Sequence, residues 1–258
     1  MRARDILRSY DFVLARFSFS PSPLSQPIGR SLGVSITRFG NHRIAKCFSL
    51  FLLLSTTSAV ASDVSQVAAR VDQRYNHLKT LKAQFQETYS GAGLHRNETG
   101  ELFLEKPGKM RWQYEQPAPK LFVVDGKNAF FYVPSERQAR QMPAKRLDDF
   151  RSPIRYLLGH SKLENEFKQL TISAEPAKQG GDVVLEGVPK GMEDRAQRVL
   201  LEITRDGQIV GIRIEELDGS VTEFRFSDFE ENVAVKPDLF RFTPPAGVEV
   251  VEGQDVEP

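Results

Sequence analysis

The sequence predicts an α+β chain that is mainly β: around ten antiparallel strands in a strongly curved sheet, open or closed, wrapped around helices. Three observations predict it. From Lys82 onward, apolar residues recur at every second position, the period of a half-buried strand. The turn signals Pro107-Gly108, Asp125-Gly126, Asp206-Gly207 and Asp218-Gly219 separate these runs by a few residues, which favours hairpins and a meander. Ahead of them, Val64, Val67, Ala68, Val71, Tyr75, Leu78 and Leu81 share one stripe at helical spacing, as in a helix that packs on a sheet.

Residues 47–61, CFSLFLLLSTTSAVA, form an apolar run behind Arg43 and Lys46 and end in the small-x-small triplet Ala59-Val60-Ala61. At about fifteen residues the run is shorter than the ~20 that span a bilayer, and its layout is that of a secretory signal peptide cleaved after Ala61. The expected division is a leader at 1–33, a signal peptide at 34–61 and a single domain at 62–258. Residues 1–42 are rich in Arg and Ser with two acids. They fit an organelle transit peptide or an over-called start, with Val34 as the true initiator. Residues 1–61 hold eight Lys/Arg and two Asp/Glu, so their removal turns a net charge of +1 into −5. A mildly acidic body argues against nucleic acid as a partner. The one cysteine, Cys47, leaves with the signal peptide, and it precedes the apolar run, where it cannot serve as a lipoprotein acylation site. The remaining domain is expected to be soluble and to rely on its apolar core.

The first helix is expected after Ser62 or Asp63, either a fair N-cap, and to end near Leu81. In the first strand Phe85, Glu87 and Tyr89 alternate with Gln84, Gln86 and Thr88, and Gly91-Ala92-Gly93 turns the chain. The next hairpin, GELFLEKPGKMRWQY at 100–114, puts Leu102, Leu104 and Lys106 on one face of one strand. Met110, Trp112 and Tyr114 share a face of the other. Lys120–Asp125 and Ala129–Pro134 follow as strands around Asp125-Gly126, and Gln138–Met142 adds another. Residues 143–160 break the meander with Pro143, Pro153 and a short helix holding Ile154, Leu157 and Leu158. That helix is either a plug or a movable lid. Strands resume at Gln169–Ala174, Asp182–Val188, Arg198–Arg205, Gln208–Glu216 and Ser220–Asp228. The tail from Leu239 to Val251 reads as an edge segment, because Pro244 and Pro245 suit no central strand.

Catalytic and metal-binding patterns are missing. His77, His95 and His160 lack ligand spacing, and the sequence has no G-x-S-x-G, H-E-x-x-H or Gly-rich phosphate loop. Asp148-Asp149 and Glu215-Glu216 read as solvated surface. The chain is instead well supplied with aromatics along its strands, among them Phe103 and Phe131. Periodicity alone leaves open whether they fill a core or line an apolar cavity.

Several segments together resemble the outer-membrane lipoprotein carrier (LolA) family of periplasmic chaperones. They are LKAQFQET at 81–88, the hairpin at 100–114, VDGKNAFFY at 124–132, the Pro-containing insertion and FRFTPPAGV at 240–248. The resemblance implies an incomplete antiparallel barrel of about eleven strands, with an N-terminal helix and a helical lid over an apolar cavity. It implies no cofactor and no catalysis. The implied partners are acylated lipoproteins, the inner-membrane ABC transporter that releases them and an outer-membrane lipoprotein receptor, with the carrier a monomer. An alternative on the same half-barrel is a periplasmic lipid- or lipoprotein-sensing regulatory protein; a lipid hydrolase ranks third.

On this resemblance the acyl-chain cavity would be lined from the first half by Phe85, Leu102, Leu104, Met110, Trp112, Phe122, Phe130 and Tyr132. The insertion would add Phe150, Ile154, Leu157 and Leu158, and the last strands Val210, Ile212, Phe224 and Phe226. The family's gating arginine, which latches the lid by hydrogen bonds, falls at Lys106. Lysine keeps the charge without the planar fork, which implies a weaker latch; the other reading is a rim lysine in solvent.

Overall fold

The structure is a computed structural model that describes residues 57–145, 157 and 162–253. Residues 58–253 form one compact unit. Helix α1 (Thr57–His77) leads into twelve strands. The first six are β1 (Thr80–Gly91), β2 (Leu94–Glu105), β3 (Lys109–Gln116), β4 (Lys120–Val124), β5 (Asn128–Val133) and β6 (Gln138–Pro143). After the insertion come the one-turn helix α2 (Leu163–Glu166), β7 (Phe167–Ile172), β8 (Val183–Pro189), β9 (Ala196–Ile203), β10 (Ile209–Glu216), β11 (Val221–Glu231) and β12 (Glu249–Glu252).

All twelve strands make one sheet in the order β12-β6-β5-β4-β3-β2-β1-β11-β10-β9-β8-β7. It stays open, so the expected unclosed barrel stands. The count is higher than about eleven because the tail adds β12, which runs parallel to β6 in an otherwise antiparallel sheet. β1 lies inside the order, paired with β2 on one side and β11 on the other.

The turns behave as their residues require. Asp125 Oδ1 accepts hydrogen bonds from the Lys127 and Asn128 amides, 2.7 Å each, and Gly126, Gly207 and Gly219 take positive φ. The helix ends earlier than expected, at His77 rather than near Leu81. Lys79 N donates to Asn232 Oδ1 and Thr80 Oγ1 to the Val233 carbonyl, so this stretch is drawn into the sheet. Leu81 pairs with Leu104 and Glu231. Leu78 and Leu81 fit the helical stripe because both are buried, Leu78 just after the helix and Leu81 in β1. α1 also starts upstream of Ser62.

Candidate functional site: a covered apolar face

Strand pairing places Leu102, Trp112, Phe122 and Phe131 in one row across β2–β5, and Leu104, Met110, Val124 and Ala129 in the next. Directly paired residues point to the same side of a sheet. Phe85 and Phe226 continue this face over β1 and β11, and Phe224 and Ile212 over β11 and β10. The aromatic rings meet mostly edge to face: Phe85 is 4.8 Å from Trp112 and 4.9 Å from Tyr114, and Trp112 is 5.6 Å from Phe224. The stripe of α1, Val64, Val67, Ala68, Val71 and Tyr75, belongs to the same buried cluster, with Leu157 from the insertion and Leu163 from α2. The face is therefore covered, and Trp112 is only 3% exposed.

α1 is held at its C-terminal end. Lys106, in phase with Leu102 and Leu104, donates from Nζ to the carbonyl of Tyr75. That carbonyl lies in the last helical turn, where the helix supplies no amide to meet it. Burial lowers the Lys106 pKa. The Tyr75 hydroxyl accepts from Ile209 N at 3.1 Å, and burial raises its pKa well above the usual phenol value. Arg74 reaches Asp206 at 2.5 Å and Glu231 at 2.6 Å. Farther up the helix, Asp72 Oδ1 accepts from Leu163 N at 2.8 Å, tying α1 to α2. Tyr75 thus joins the two wings of the sheet, its carbonyl bonded to the β2–β3 turn and its hydroxyl to β10.

The opposite end of the same face is polar. Tyr114 donates to Glu87 Oε2 at 2.7 Å, and Lys120 Nζ stands 2.6 Å from Glu98 Oε1 and 4.1 Å from the Tyr114 ring centroid. Glu87, Glu98 and Lys120 are all buried. Desolvation raises the Glu87 carboxyl pKa, against the lowering effect of the Tyr114 hydroxyl. Lys120 is lowered by burial, with Glu98 acting against it. The Arg96 guanidinium lies over the Tyr89 ring at 5.0 Å. The sequence carried a signal for this cluster: Glu87 is in phase with Phe85 and Tyr89, Glu98 with Leu102, and Lys120 with Phe122. Among the described residues no group of His, Cys, Asp and Glu could hold a metal ion.

The family of outer membrane lipoprotein carrier protein LolA matches residues 76–243. An outer-membrane lipoprotein carrier protein of Nitrosospira multiformis is 34% identical over 80% of this chain and 96% of its own length. One from Nitrosomonas europaea is 31% identical over 78% and 97%. This chain belongs to the LolA family. A solved LolA superfamily protein from Nitrosomonas europaea is a looser likeness, with a TM-score of 0.39 and 10% identity over 69% of this chain and 97% of that one.

Against the lining expected for a LolA-family cavity, the structure brings together Phe85, Leu102, Leu104, Met110, Trp112, Leu157, Ile212, Phe224 and Phe226, with Phe122 half-buried beside them. Phe130 and Tyr132 are corrected: they lie on the other face, where they meet Phe242 at 5.2 and 5.6 Å. Their neighbour Phe131 faces inward instead, because Phe122 pairs with Phe131 and the strand alternates. Val210 is corrected too. It sits at a register shift between Ile209 and Gly211 and stays half-buried outside the cluster, while Ile209 is fully buried within it. Phe150, Ile154 and Leu158 lie outside the described residues, as do Asp148 and Asp149. Glu215 is no solvated carboxylate: it pairs with Arg198 at 2.6 Å and with Arg213, and the Arg198 hydrogen bond lowers its pKa.

Proposed function

We propose that this chain is a periplasmic carrier that shields the acyl chains of lipoproteins released from the inner membrane and delivers them to an outer-membrane receptor. Family membership supports that reading, and one observation gives it a mechanism: a broad apolar face on an open sheet is covered by a helix that buries an apolar stripe on it and is pinned at its C-terminal end by polar contacts. Burying a CH₂ is worth ~0.8 kcal/mol, so an exposed acyl chain costs on the order of 10 kcal/mol. A lipoprotein therefore needs a cover to cross water.

In the free form α1 fills the face, and cargo takes its place. Cargo affinity is then the difference between acyl burial and the burial lost from α1, which keeps the grip weak enough for a downhill hand-over. On this reading Lys106 is the latch of the closed form, residues 34–61 are a signal peptide removed near Ala61, and the carrier is a soluble monomer served by an inner-membrane ABC transporter. No bond is made or broken.

The test is lipoprotein release from spheroplasts with and without the purified protein. Expected is a soluble complex of the protein with newly acylated lipoprotein; release that is unchanged by the protein refutes the assignment.

A further inference from the structure

The polar end of the covered face holds a group that its neighbours leave unsatisfied. Thr222 Oγ1 is buried without a hydrogen-bond partner, and the residue is 1% exposed. Thr222 pairs directly with Tyr89 on β1 and with Ile214 on β10. It therefore shares the face of Phe224 and lies diagonal to Glu87, within reach of a side-chain neighbour. Buried ion pairs gain little over apolar packing of the same shape, and a buried hydroxyl without a partner is costly to keep. A purely structural role would favour valine here, a β-branched residue of the same shape.

Resting on the carrier reading, we propose that Thr222, beside Glu87 and Tyr89, is a polar anchor for the ester or amide carbonyl that joins an acyl chain to its head. The hydroxyl donates to that carbonyl oxygen.

From this end the face is apolar up to Lys106. The eight residue steps from Glu98 to Lys106 span about 27 Å at ~3.4 Å each. One acyl layer is about half of a ~30 Å bilayer core, so a chain anchored at Thr222 fits between the two ends. Its methyl end then points past Trp112 toward the latch. The anchor gives the carrier a direction of loading and a preference for acyl esters and amides over plain hydrocarbon.

The experiment is displacement of a fluorescent anthroyloxy-stearate probe by ethyl laurate and by pentadecane, a chain of similar length without the carbonyl. The wild type binds ethyl laurate more tightly than pentadecane. Thr222→Val weakens ethyl laurate by roughly five-fold, the worth of one neutral hydrogen bond, and leaves pentadecane unchanged; Thr222→Ser keeps the preference. Equal losses for both compounds, or no loss in the valine variant, overturn the anchor alone. A protein that binds neither compound nor the probe overturns the carrier reading and the anchor with it. A triacylated lipopeptide and a short-chain phosphatidylcholine, run as further competitors, separate the sources of the carbonyl. Loss for the lipopeptide alone assigns it to lipoprotein cargo and loss for both to acyl esters at large; each supports the anchor.

Discussion

Lys106→Met keeps an apolar stem of similar length and removes one hydrogen bond, from Nζ to the Tyr75 carbonyl. A hydrogen bond from a charged donor is worth about 1.5–3 kcal/mol. Lys106 is only half-buried and its desolvation works against the bond, so about 1–2 kcal/mol is the expected loss. That is a factor of roughly 5–30 in the ratio of closed to open forms. The Tyr75–Ile209, Arg74–Asp206 and Asp72–Leu163 contacts remain, so α1 loosens without unfolding the sheet. Hydrogen exchange read by mass spectrometry should show α1 amides exchanging faster by that factor, with β9 and β10 unchanged. Because cargo competes with the closed form, the variant should also bind cargo more tightly and pass it to the receptor more slowly, while uptake is less affected. Unaltered exchange in α1, or equal effects on uptake and transfer, would refute the latch.

Gly100→Ala should lower the urea midpoint by about 1 M or more. A Cβ there would stand 2.0 Å from the Gln113 carbonyl oxygen and meet only backbone atoms, so the paired strands β2 and β3 would have to move apart at this register shift. Glu87→Gln tests the polar end through pH. The folded-state pKa of Glu87 is raised, so between the ordinary value of 4.5 and that higher value the folded protein binds more protons than the unfolded one. Wild-type stability therefore falls as pH rises through this window. The variant lacks that slope, so the wild-type advantage, followed by denaturant titrations at several pH values, should shrink as pH rises and stay constant below the window.

The sequence made the hairpins legible because their signals are local. Asp125-Gly126, Asp206-Gly207 and Asp218-Gly219 turn the chain where expected, and Leu102, Leu104, Met110 and Trp112 share a face as their alternation requires. What stayed hidden depends on distant partners. In Ala129–Val133 both faces are apolar, so the pattern AFFYV does not say whether Phe130 or Phe131 points inward. Phe242, far along the chain, makes Phe130 and Tyr132 an outer-face pair. The tail was legible as an edge segment, and β12 is an edge strand of the sheet, but its parallel partner β6 was not, since it lies across the whole second half of the fold. Lys106 could be placed at the end of an apolar face by phase alone, but its acceptor on α1 needed the packing of helix on sheet. Glu87 was in phase with Phe85 and passed as an ordinary strand carboxylate, because alternation ranks positions by side and says nothing about what else arrives there.

The position of β1 between β2 and β11 also bears on how the molecule is made. β1–β6 form a meander of close neighbours in sequence, and β7–β11 form another. They join along β1 and β11, which come from opposite ends of the domain. Until β11 arrives, the first meander has an unpaired edge along β1, with the apolar side chain of Phe85 beside it and without its partner Phe226, the combination that invites aggregation. A pairing so distant in sequence is slow compared with the hairpins on either side. Synthesis thus exposes an apolar surface for as long as the seam stays open, so variants that weaken the β1–β11 register should lose soluble yield before they lose measurable stability.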